Sequence, residues 1–497
     1  MRRFGCYLSG VRIRSLKSEN PKNPGDVRSW GKLMKYQNIR FMSAELWNFK
    51  NVAHGKIEMP LALRRDFSCE KSEILGIYGQ NGSGKTTVID ALFFAKQLLQ
   101  GRPLPSDAAD YIAKNAEEAV CSLAFYLEKE QGGVVVSYEF TMRRAENGAY
   151  ISHEKLAART LTEEGLSPAK TLLAYDAMGS GRFLSPKYRW DALISASPDA
   201  AIDLAVARRL SVGNGTSFLF SSDFGAVLAF SPDEEMEGKA GLFDVRSALS
   251  RYAAEGLFVV SCDHSGVIAL SAVLPIALHF DGDEKTPDEM LLSLTEPSVQ
   301  PLDTYRIVKT SVAALNCVLG VLIPGMSLEI REYGGQMTPD GKDGMRFEIL
   351  SVREENRIPL KYESEGIKKL ISILSILIAM YNNASVFVAV DEFDAGVYEY
   401  LLGEILGILE ESGRGQLLFT SHNLRPLEMI DRQDIVFTTT NPDNRYIRAS
   451  GARGNLRDRY IRSISLGGQK EELYDYRNPM EIARAFRLAS RCGDESR

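Results

Sequence analysis

The spacing of apolar residues changes several times along the chain, and these changes predict a mixed α/β fold. Residues Asn38–Leu63 alternate between polar and apolar positions and are rich in strand-forming residues, which predicts two or three short antiparallel strands. Glu73–Gly79 is an apolar run typical of a buried strand, and Lys85–Leu99 has the periodicity of a helix. A strand, a glycine-rich turn and a helix therefore follow one another closely.

The middle of the chain continues with strands and then becomes irregular. Val120–Glu130 and Gly133–Arg144 predict a hairpin, whereas His153–Glu164 either extends that sheet or starts a helix. Helical patterns at Asp199–Leu210 and Phe243–Ala254 are interrupted by stretches rich in Gly and Pro. This part of the chain therefore predicts both strands and helices, with no internal repeat.

The last part of the chain alternates between strands and helices, which predicts a parallel sheet. A meander of three strands comes first, at Met326–Tyr333, Met345–Val352 and Arg357–Ser364. The other predicted elements are strands at Gly256–Phe280, Ser385–Glu392, Gly415–Asn423 and Asp434–Thr440, and helices at Asp303–Pro324, Lys368–Met380, Val397–Glu411 and Asn478–Cys492.

These elements suggest five regions. Residues 38–164 would form the first half of the main α/β unit and residues 303–450 the second half. Residues 165–302 would be an inserted mixed region. Residues 1–37 would form an N-terminal arm, and residues 451–497 a tail that contains a helix.

Charge and cysteine content limit the classes of protein. The net charge of −6 is unlike that of a wholly basic nucleic-acid binder. Arg and Lys nevertheless far outnumber Glu19 and Asp26 in the first 40 residues. This segment is a basic arm that touches phosphates or an acidic partner, a poorly ordered leader, or the result of a start codon placed too far upstream, with Met34 and Met42 as alternative starts.

The cell compartment is predicted from cysteines and apolar runs. The six cysteines are scattered, which favours a reducing cytoplasm over disulfides or a zinc site. The most apolar run, Lys368–Tyr381, is too short to span a bilayer, and we see no signal peptide. We therefore expect a cytoplasmic protein without a membrane partner.

The segment "GQNGSGKTT" between the predicted strand and helix fits the phosphate-loop pattern G-x-x-x-x-G-K-[ST] through Gly79, Gly84, Lys85 and Thr86. Glycines let backbone N–H groups turn toward the β-phosphate, and the following helix adds the positive end of its dipole. Lys85 would reach the β- and γ-phosphates, and the Thr86 hydroxyl would bind Mg²⁺. The predicted ATP contacts are Gly79, Gln80, Asn81, Gly82, Ser83, Gly84, Lys85, Thr86 and Thr87.

Two acidic residues end the predicted buried strand Ser385–Glu392. Nucleotide hydrolysis requires carboxylates at such a position. Asp391 would hold Mg²⁺ through water, and Glu392 would polarise the attacking water. The alternative is a simple acidic turn. One strand further, His422 would hydrogen-bond the γ-phosphate, unless it is a structural histidine. We therefore predict Lys85, Glu392 and His422 as catalytic residues.

Four segments resemble the RecF, SMC-like and OLD-like ATPases and occur in the order of that family. The first segment, an opening strand, would add Asn48 and Lys50 to the nucleotide contacts. The other three resemble the signature motif, the Walker B motif with its D-loop, and the switch-histidine loop. The four segments are "LWNFKN" (Leu46–Asn51), "YESEGIKKL" (Tyr362–Leu370), "VDEFDAG" (Val390–Gly396) and "SHN" (Ser421–Asn423).

This resemblance implies an ABC-type ATPase head, with a parallel phosphate-loop core and an antiparallel β lobe. In such heads two copies hold the nucleotides between them. Ser364 and Gly366 of one copy would contact the γ-phosphate bound by Lys85 of the other, and Asp394 would lie near the seam. A helix N-terminus at Ser364 agrees with anion binding, although an ordinary N-cap is the alternative.

The chain departs from two members of this group. Prolines are frequent between Thr87 and Glu363, so long coiled-coil arms are not expected. Too few residues follow His422 for a TOPRIM nuclease domain. Asp281 and Asp283 form a D-x-D that either binds a metal or is an acidic surface turn.

The remaining resemblance is to the ATPase subunits of two-gene bacterial anti-phage systems, and above all to the PARIS type, AriA. It implies a homo-oligomer that holds a separate effector, a TOPRIM nuclease in that family, until a phage-encoded trigger protein is sensed. The ATPase would then be a sensor and scaffold.

A RecF-like DNA-repair or DNA-end-binding ATPase is the alternative function. The acidic charge outside the N-terminal arm disfavours it, but a weak DNA contact remains an expectation. A local basic patch would use Arg208, Arg209, Lys368 and Lys369. A third hypothesis is the cytosolic motor of an ABC transporter. The "SEG" signature and the "NFK" strand agree poorly with it.

Overall fold

The computed structural model describes residues 36–497, apart from the gaps given at the end of this paragraph. The first 35 residues, with most of the predicted arm, lie outside the described part, as do Asp281, Asp283 and most of Asn478–Cys492. The gaps are 64–68, 131, 147, 163–164, 196, 231–240, 262–272, 277–289, 294–295, 396, 450–456, 459, 462–471, 474–479, 482 and 486–497.

The described elements are numbered in chain order. The strands are β1 Ile39–Phe49, β2 Val52–Glu58, β3 Glu73–Tyr78, β4 Glu118–Glu128, β5 Gly133–Ala145, β6 Gly148–Thr162, β7 Gly165–Leu166, β8 Lys170–Asp176, β9 Leu184–Ser185, β10 Leu257–Val260, β11 Val273–Ile276, β12 Met290–Ser293, β13 Ser298–Pro301, β14 Met326–Met337, β15 Asp343–Arg353, β16 Asn356–Pro359, β17 Phe387–Val390, β18 Gln416–Thr420, β19 Ile435–Thr438 and β20 Tyr446–Arg448. The helices are α1 Lys85–Leu99, α2 Lys187–Ile194, α3 Ala200–Asn214, α4 Ser222–Phe230, α5 Leu242–Glu255, α6 Leu302–Leu322, α7 Glu365–Asn382, α8 Glu399–Ser412 and α9 Pro426–Met429.

A central sheet has the strand order β10-β17-β18-β3-β19-β20. All its pairs are parallel except β19 with β20. Every residue of β3, β17 and β18 is buried, as expected for strands covered on both faces. Because these strands are parallel, the loops after them meet at one edge of the sheet.

One edge strand of this sheet is β10. β10 pairs with β17 from Leu257↔Phe387 to Val260↔Val390. It therefore belongs to the central sheet, although it lies within residues 165–302, which were predicted as an insertion. The remainder of that stretch contributes helices α2–α5, strands β7, β8 and β9 of the large antiparallel sheet, the two-stranded pair β11–β12, and strand β13 of a further sheet.

A second, antiparallel sheet of eight strands has the order β2-β1-β4-β5-β6-β8-β9, with β7 paired to β6. The predicted pair of strands in Asn38–Leu63 and the predicted hairpin β4–β5 are confirmed. Of the two alternatives for His153–Glu164, the structure shows the strand, because residues 153–162 belong to β6. This sheet is the predicted antiparallel lobe, beside the parallel central sheet.

Helix α1 joins the two sheets, because it contacts β1 on one side and β10 and β17 on the other. Its observed bounds equal the predicted ones. The rings of Phe41 and Phe387 stack at 4.5 Å, and Phe49 meets Phe94 at 5.7 Å. The two sheets therefore share one apolar core around the helix that follows the phosphate loop.

A buried ion pair also connects the sheets. Arg40 of β1 is fully buried, and its Nη2 lies 2.7 Å from the Glu73 carboxylate at the start of β3. The same guanidinium donates to the carbonyl oxygens of Lys71, Ala384 and Arg414. This network satisfies the buried charges at the end of the sheet opposite the phosphate loop.

A third sheet, β13-β15-β14 with β16 beside β15, precedes helix α7. The predicted meander is confirmed, but its last strand ends at Pro359 instead of continuing to Ser364. Pro359 lacks an N–H donor, and a short 3-10 turn Leu360–Tyr362 follows it. The chain therefore leaves the sheet six residues before α7 starts at Glu365.

Helix α6 packs on this third sheet. Among the helices of the described residues, α6 is the one that is long and apolar enough to cross a membrane, judged by length and composition only. Val308, Leu315 and Leu319 on one side of it are nevertheless buried, and the helix contacts β14 and β15. Its apolar stripe is therefore used in packing.

Candidate functional site

The candidate site lies where four strands of the central sheet end. The loop after β3 holds the phosphate motif, Asp391 and Glu392 follow β17, and Ser421 and His422 follow β18. Thr438 is the last residue of β19, the other neighbour of β3. Polar groups distant in sequence thus lie at one sheet edge because their strands are parallel neighbours.

The glycines of the loop are required for two different reasons. Gly82 and Gly84 have φ values of 76° and 91°, in the region that side chains with a Cβ avoid. Gly79 has ordinary backbone angles, but a Cβ there would lie 1.7 Å from Thr438 Oγ1. Ser83 Oγ also approaches Thr438 Oγ1, at 2.5 Å, so β19 packs directly against the loop.

Lys85 and the start of α1 complete the phosphate cradle. The buried Lys85 Nζ donates to the carbonyl oxygens of Gly79 and Gln80, at 2.9 Å each. Gly84 is the N-cap of α1 and has no side chain to bond the first-turn N–H groups. These N–H groups and the Lys85 ammonium therefore suit an anion at the helix N-terminus. Thr86, predicted as a Mg²⁺ ligand, lies in this first turn.

Three further residues hold the loop in place, and sequence reasoning did not assign them this role. The Asn51 side chain donates to Gly82 O and accepts from the Thr87 hydroxyl. Tyr446 Oη donates to Gly84 O at 2.7 Å. Burial raises the pKa of the Tyr446 phenol, which keeps it protonated as a donor. Arg445 in turn donates to Asn51 O at 2.6 Å.

Asn48 lies near the end of β1 and Lys50 in the turn that follows it, with φ values of 54° and 51°. Lys50 Nζ lies 2.5 Å from an Asp90 carboxylate oxygen of α1 and 4.1 Å from the centre of the Tyr111 ring. The carbonyl of Asn48 accepts the N–H of Ala113. Lys50 thus ties the turn to α1, whereas Asn48 ties the end of β1 to the segment at Ala113. Their predicted nucleotide contacts stay a prediction.

Asp391 and Glu392 differ in environment. Asp391 is 1% exposed and accepts the Thr420 hydroxyl hydrogen bond at 2.5 Å. Glu392 has an exposed side chain and a φ of 48°, which is rare for a residue with a Cβ. A buried carboxylate suits a metal-binding role and an exposed one suits a water-activating role, and both predicted roles stay predictions.

Asp394 fixes the histidine loop. One of its carboxylate oxygens accepts the backbone N–H groups of His422 at 3.1 Å and Asn423 at 2.9 Å. The His422 side chain is exposed. The predicted D-loop and switch-histidine loop are therefore in direct contact within one copy.

Ser364 is the N-cap of α7 and accepts the N–H of Ile367 at 3.4 Å. Its side chain remains exposed, and Gly366 is partly exposed. A cavity of about 500 Å³ opens beside them, also lined by Tyr398 and Tyr400. The N-cap interpretation is thus confirmed, and the exposed helix end remains suited to an anion.

The predicted basic patch is wrong in part. Lys368 and Lys369 are buried, at 3% and 8% exposure. Lys369 Nζ donates to the carbonyl oxygen of Glu392 at 2.7 Å, and Lys368 Nζ donates to Lys361 O at 3.4 Å. The apolar surroundings of α7 draw both stems inward, so these lysines do not form a DNA-binding surface.

The oxygen ligands suit Mg²⁺, because the Thr86 hydroxyl and the Asp391 carboxylate are hard donors. Asp391 already has one oxygen held by Thr420. A carboxylate oriented in this way is typical of a metal site with a supporting hydrogen bond.

Comparisons with known proteins agree with a nucleotide-binding fold. Residues 74–185, which include the phosphate loop and α1, match the family described as "AAA domain, putative AbiEii toxin, Type IV TA system". No curated protein matches the chain by sequence.

Several solved structures are similar to the chain at low identity. The SMC head domain of Thermotoga maritima is 16% identical, covering 83% of this chain and 100% of that one, with a TM-score of 0.32. The Smc head with a coiled coil and joint from Pyrococcus yayanosii is 12% identical, covering 86% and 100%, with a TM-score of 0.40. The recombination mediator RecF with ATP is 15% identical, covering 78% and 94%, with a TM-score of 0.34. The longest helix among the described residues has 21 residues, so this part of the chain contains no long coiled coil.

Proposed function

We propose that this chain binds and hydrolyses ATP as an ABC-type ATPase of the RecF and SMC-like class. One observation carries the proposal: the phosphate loop and the pair Asp391–Glu392 follow parallel strands that end at the same edge of one sheet. The match of residues 74–185 to an AAA domain family supports it.

The roles follow from the geometry. A triphosphate in the loop would give Lys85 a stronger acceptor than the carbonyl oxygens of Gly79 and Gln80. Mg²⁺, when bound by Thr86 and Asp391, supplies positive charge that stabilises the transferred phosphoryl group. Glu392 orients and polarises the attacking water.

His422 would donate a hydrogen bond to the γ-phosphate from the end of β18. Because Asp394 holds the backbone of this loop, the position of the imidazole depends on the D-loop. A change at the D-loop would therefore alter contact with the γ-phosphate. This arrangement suits a residue that reports whether ATP has been cleaved.

A second copy of the chain completes each site in this proposal. Ser364 and Gly366 stand exposed at the N-terminus of α7, where N–H groups and the helix dipole favour an anion. They would contact the γ-phosphate bound to Lys85 of the partner copy. Exposure of a helix N-terminus next to an open cavity supports this role, because the surface is free for a partner.

The cellular role we propose is that of a sensor and scaffold in a bacterial anti-phage system. The homo-oligomer would hold a toxic effector, a TOPRIM nuclease, in the cytoplasm and release it when a phage-encoded trigger is sensed. The resemblance to PARIS-type ATPase subunits supports this, and the matched family description names a toxin–antitoxin system.

Co-purification tests the cellular role. The wild-type chain and the Lys85→Ala variant are each expressed together with the products of the neighbouring genes and then purified. We expect a nuclease to co-elute with the wild-type chain. Purification of the chain free of any such partner would contradict the scaffold proposal while leaving the ATPase proposal intact.

A RecF-like DNA-repair ATPase is the second candidate, favoured by the opening strand "LWNFKN". It predicts that duplex DNA stimulates hydrolysis and that this stimulation falls steeply with salt. We expect no such stimulation. The burial of Lys368 and Lys369 removes two of the residues that would have formed the DNA contact.

A further inference from the structure

We propose that Lys369 is a positioning residue that fixes Glu392 and links it to helix α7. This inference rests on the proposed ATPase function. The observation behind it is the contact of 2.7 Å between Lys369 Nζ and the carbonyl oxygen of Glu392.

The backbone of Glu392 needs such support. Its φ of 48° lies in the left-handed region, where a residue with a Cβ is strained by about 1 kcal/mol or more. Strain of this kind persists only where surrounding contacts hold the conformation. The direction of the Glu392 side chain toward the attacking water therefore depends on those contacts.

The backbone N–H and the carbonyl oxygen of Glu392 are held by different elements. Its N–H donates to Thr420 Oγ1 at 2.8 Å, and the Thr420 hydroxyl donates to Asp391. Its carbonyl oxygen accepts from Lys369, which belongs to α7. The first contact ties Glu392 to the central sheet and the predicted metal ligand, and the second ties it to the helix that starts at Ser364.

Lys369 is suited to this task because it is buried. An ammonium group with 8% exposure pays a desolvation cost and must be compensated by polar contacts. Releasing the Glu392 carbonyl would weaken that compensation, so the contact is retained. Lys368, its neighbour on α7 and equally buried, donates instead to Lys361 O, ahead of the helix.

The link joins two nucleotide sites. Ser364 and Lys369 are about 7.5 Å apart along one helix axis, at 1.5 Å per residue. Ser364 would touch the nucleotide held by the partner copy, whereas Glu392 acts on the nucleotide of its own copy. A movement of α7 when the partner docks is therefore transmitted by Lys369 to the water-activating residue of the other site.

Substitution tests the positioning role. Lys369→Met removes the donor and keeps the length of the stem, and Lys368→Met is the matched control on the same helix. We expect Lys369→Met to lower kcat by about 10- to 100-fold, because small misplacements of catalytic groups have effects of this size. Affinity for a fluorescent ATP analogue should change by less than about threefold, since Lys85 and the loop are untouched.

The outcomes separate this inference from the proposed function. A kcat in Lys369→Met near the wild-type value, in a protein whose hydrolysis depends on Lys85, would overturn the positioning role alone. Equal losses of ATP affinity and kcat would also overturn it, because they indicate a structural role. No Lys85-dependent hydrolysis in the wild type would overturn both proposals. Lys369→Gln, which is too short to reach Glu392, serves if the Met variant does not fold, with the same expected split.

Discussion

Lys85 is the side chain proposed to hold the β- and γ-phosphates. We expect Lys85→Ala to remove ATP binding or hydrolysis, because the ammonium is the only charged group that the loop itself contributes. Turnover measured by phosphate release, with Arg357→Ala as an exposed control, checks this. Wild-type turnover in Lys85→Ala would contradict the ATPase proposal.

Glu392 is the residue assigned to water activation. Replacing it by Gln keeps the size of the side chain and removes the charge that polarises water. We expect hydrolysis to fall and ATP to remain bound in an assembled form, measured as nucleotide content and molecular mass after gel filtration with ATP. A variant that neither slows hydrolysis nor retains ATP would argue against this role.

The placement of candidate site residues was predictable where a short motif carries them. Lys85, Thr86, Asp391 and Glu392 stand at strand ends in recognisable local patterns, and the structure brings those strand ends together. Asn51, Tyr446, Thr438 and Lys369 could not be assigned in this way. Their contacts join parts of the chain far apart in sequence, and the chemistry of an Asn or Tyr alone does not reveal its partner. The burial of Lys369 also contradicts its predicted place in a surface patch.

The loop between β3 and α1 shows how elements impose requirements on single positions. We expect Gly79→Ala to damage the site more than Gly82→Ala. Alanine at 82 strains the backbone, at about 1 kcal/mol, but meets no atom within 4 Å. Alanine at 79 would displace Thr438 of β19. ATP affinity and thermal unfolding of the two variants provide the comparison, and equal effects would contradict it.

Elements were predictable where periodicity is long and clear. α1 was predicted with its observed bounds, because a glycine-rich turn marks its start. His153–Glu164 was ambiguous since its residues suit both a strand and a helix, and pairing with β5 and β8 decides for the strand. The strand predicted to end at Ser364 stops earlier, at Pro359, where the ladder loses a donor.

The joining of the two large sheets is a property of the whole molecule. Arg40→Met would leave the Glu73 carboxylate buried without its cationic partner. We expect a loss of about 3–5 kcal/mol in the free energy of unfolding, the usual size for one half of a buried pair. Arg357→Met, which breaks an exposed pair with Glu329, should cost under about 1 kcal/mol. Urea denaturation measures both, and similar costs would refute a stabilising role for the buried pair.

The α/β class and the parallel core could be predicted from the alternation of strands and helices. The membership of β10 in that core could not, because its partner β17 lies far along the chain and its own four residues carry little pattern. The proposed assembly with a second copy belongs to the same scale, since Ser364 would act on a nucleotide that its own copy does not hold.

A structure of Glu392→Gln with ATP and Mg²⁺ tests this central claim most directly. It should contain two copies face to face, with each γ-phosphate between Lys85 of one copy and Ser364 of the other. Bound triphosphates that lie far from Ser364 of every copy would contradict the account.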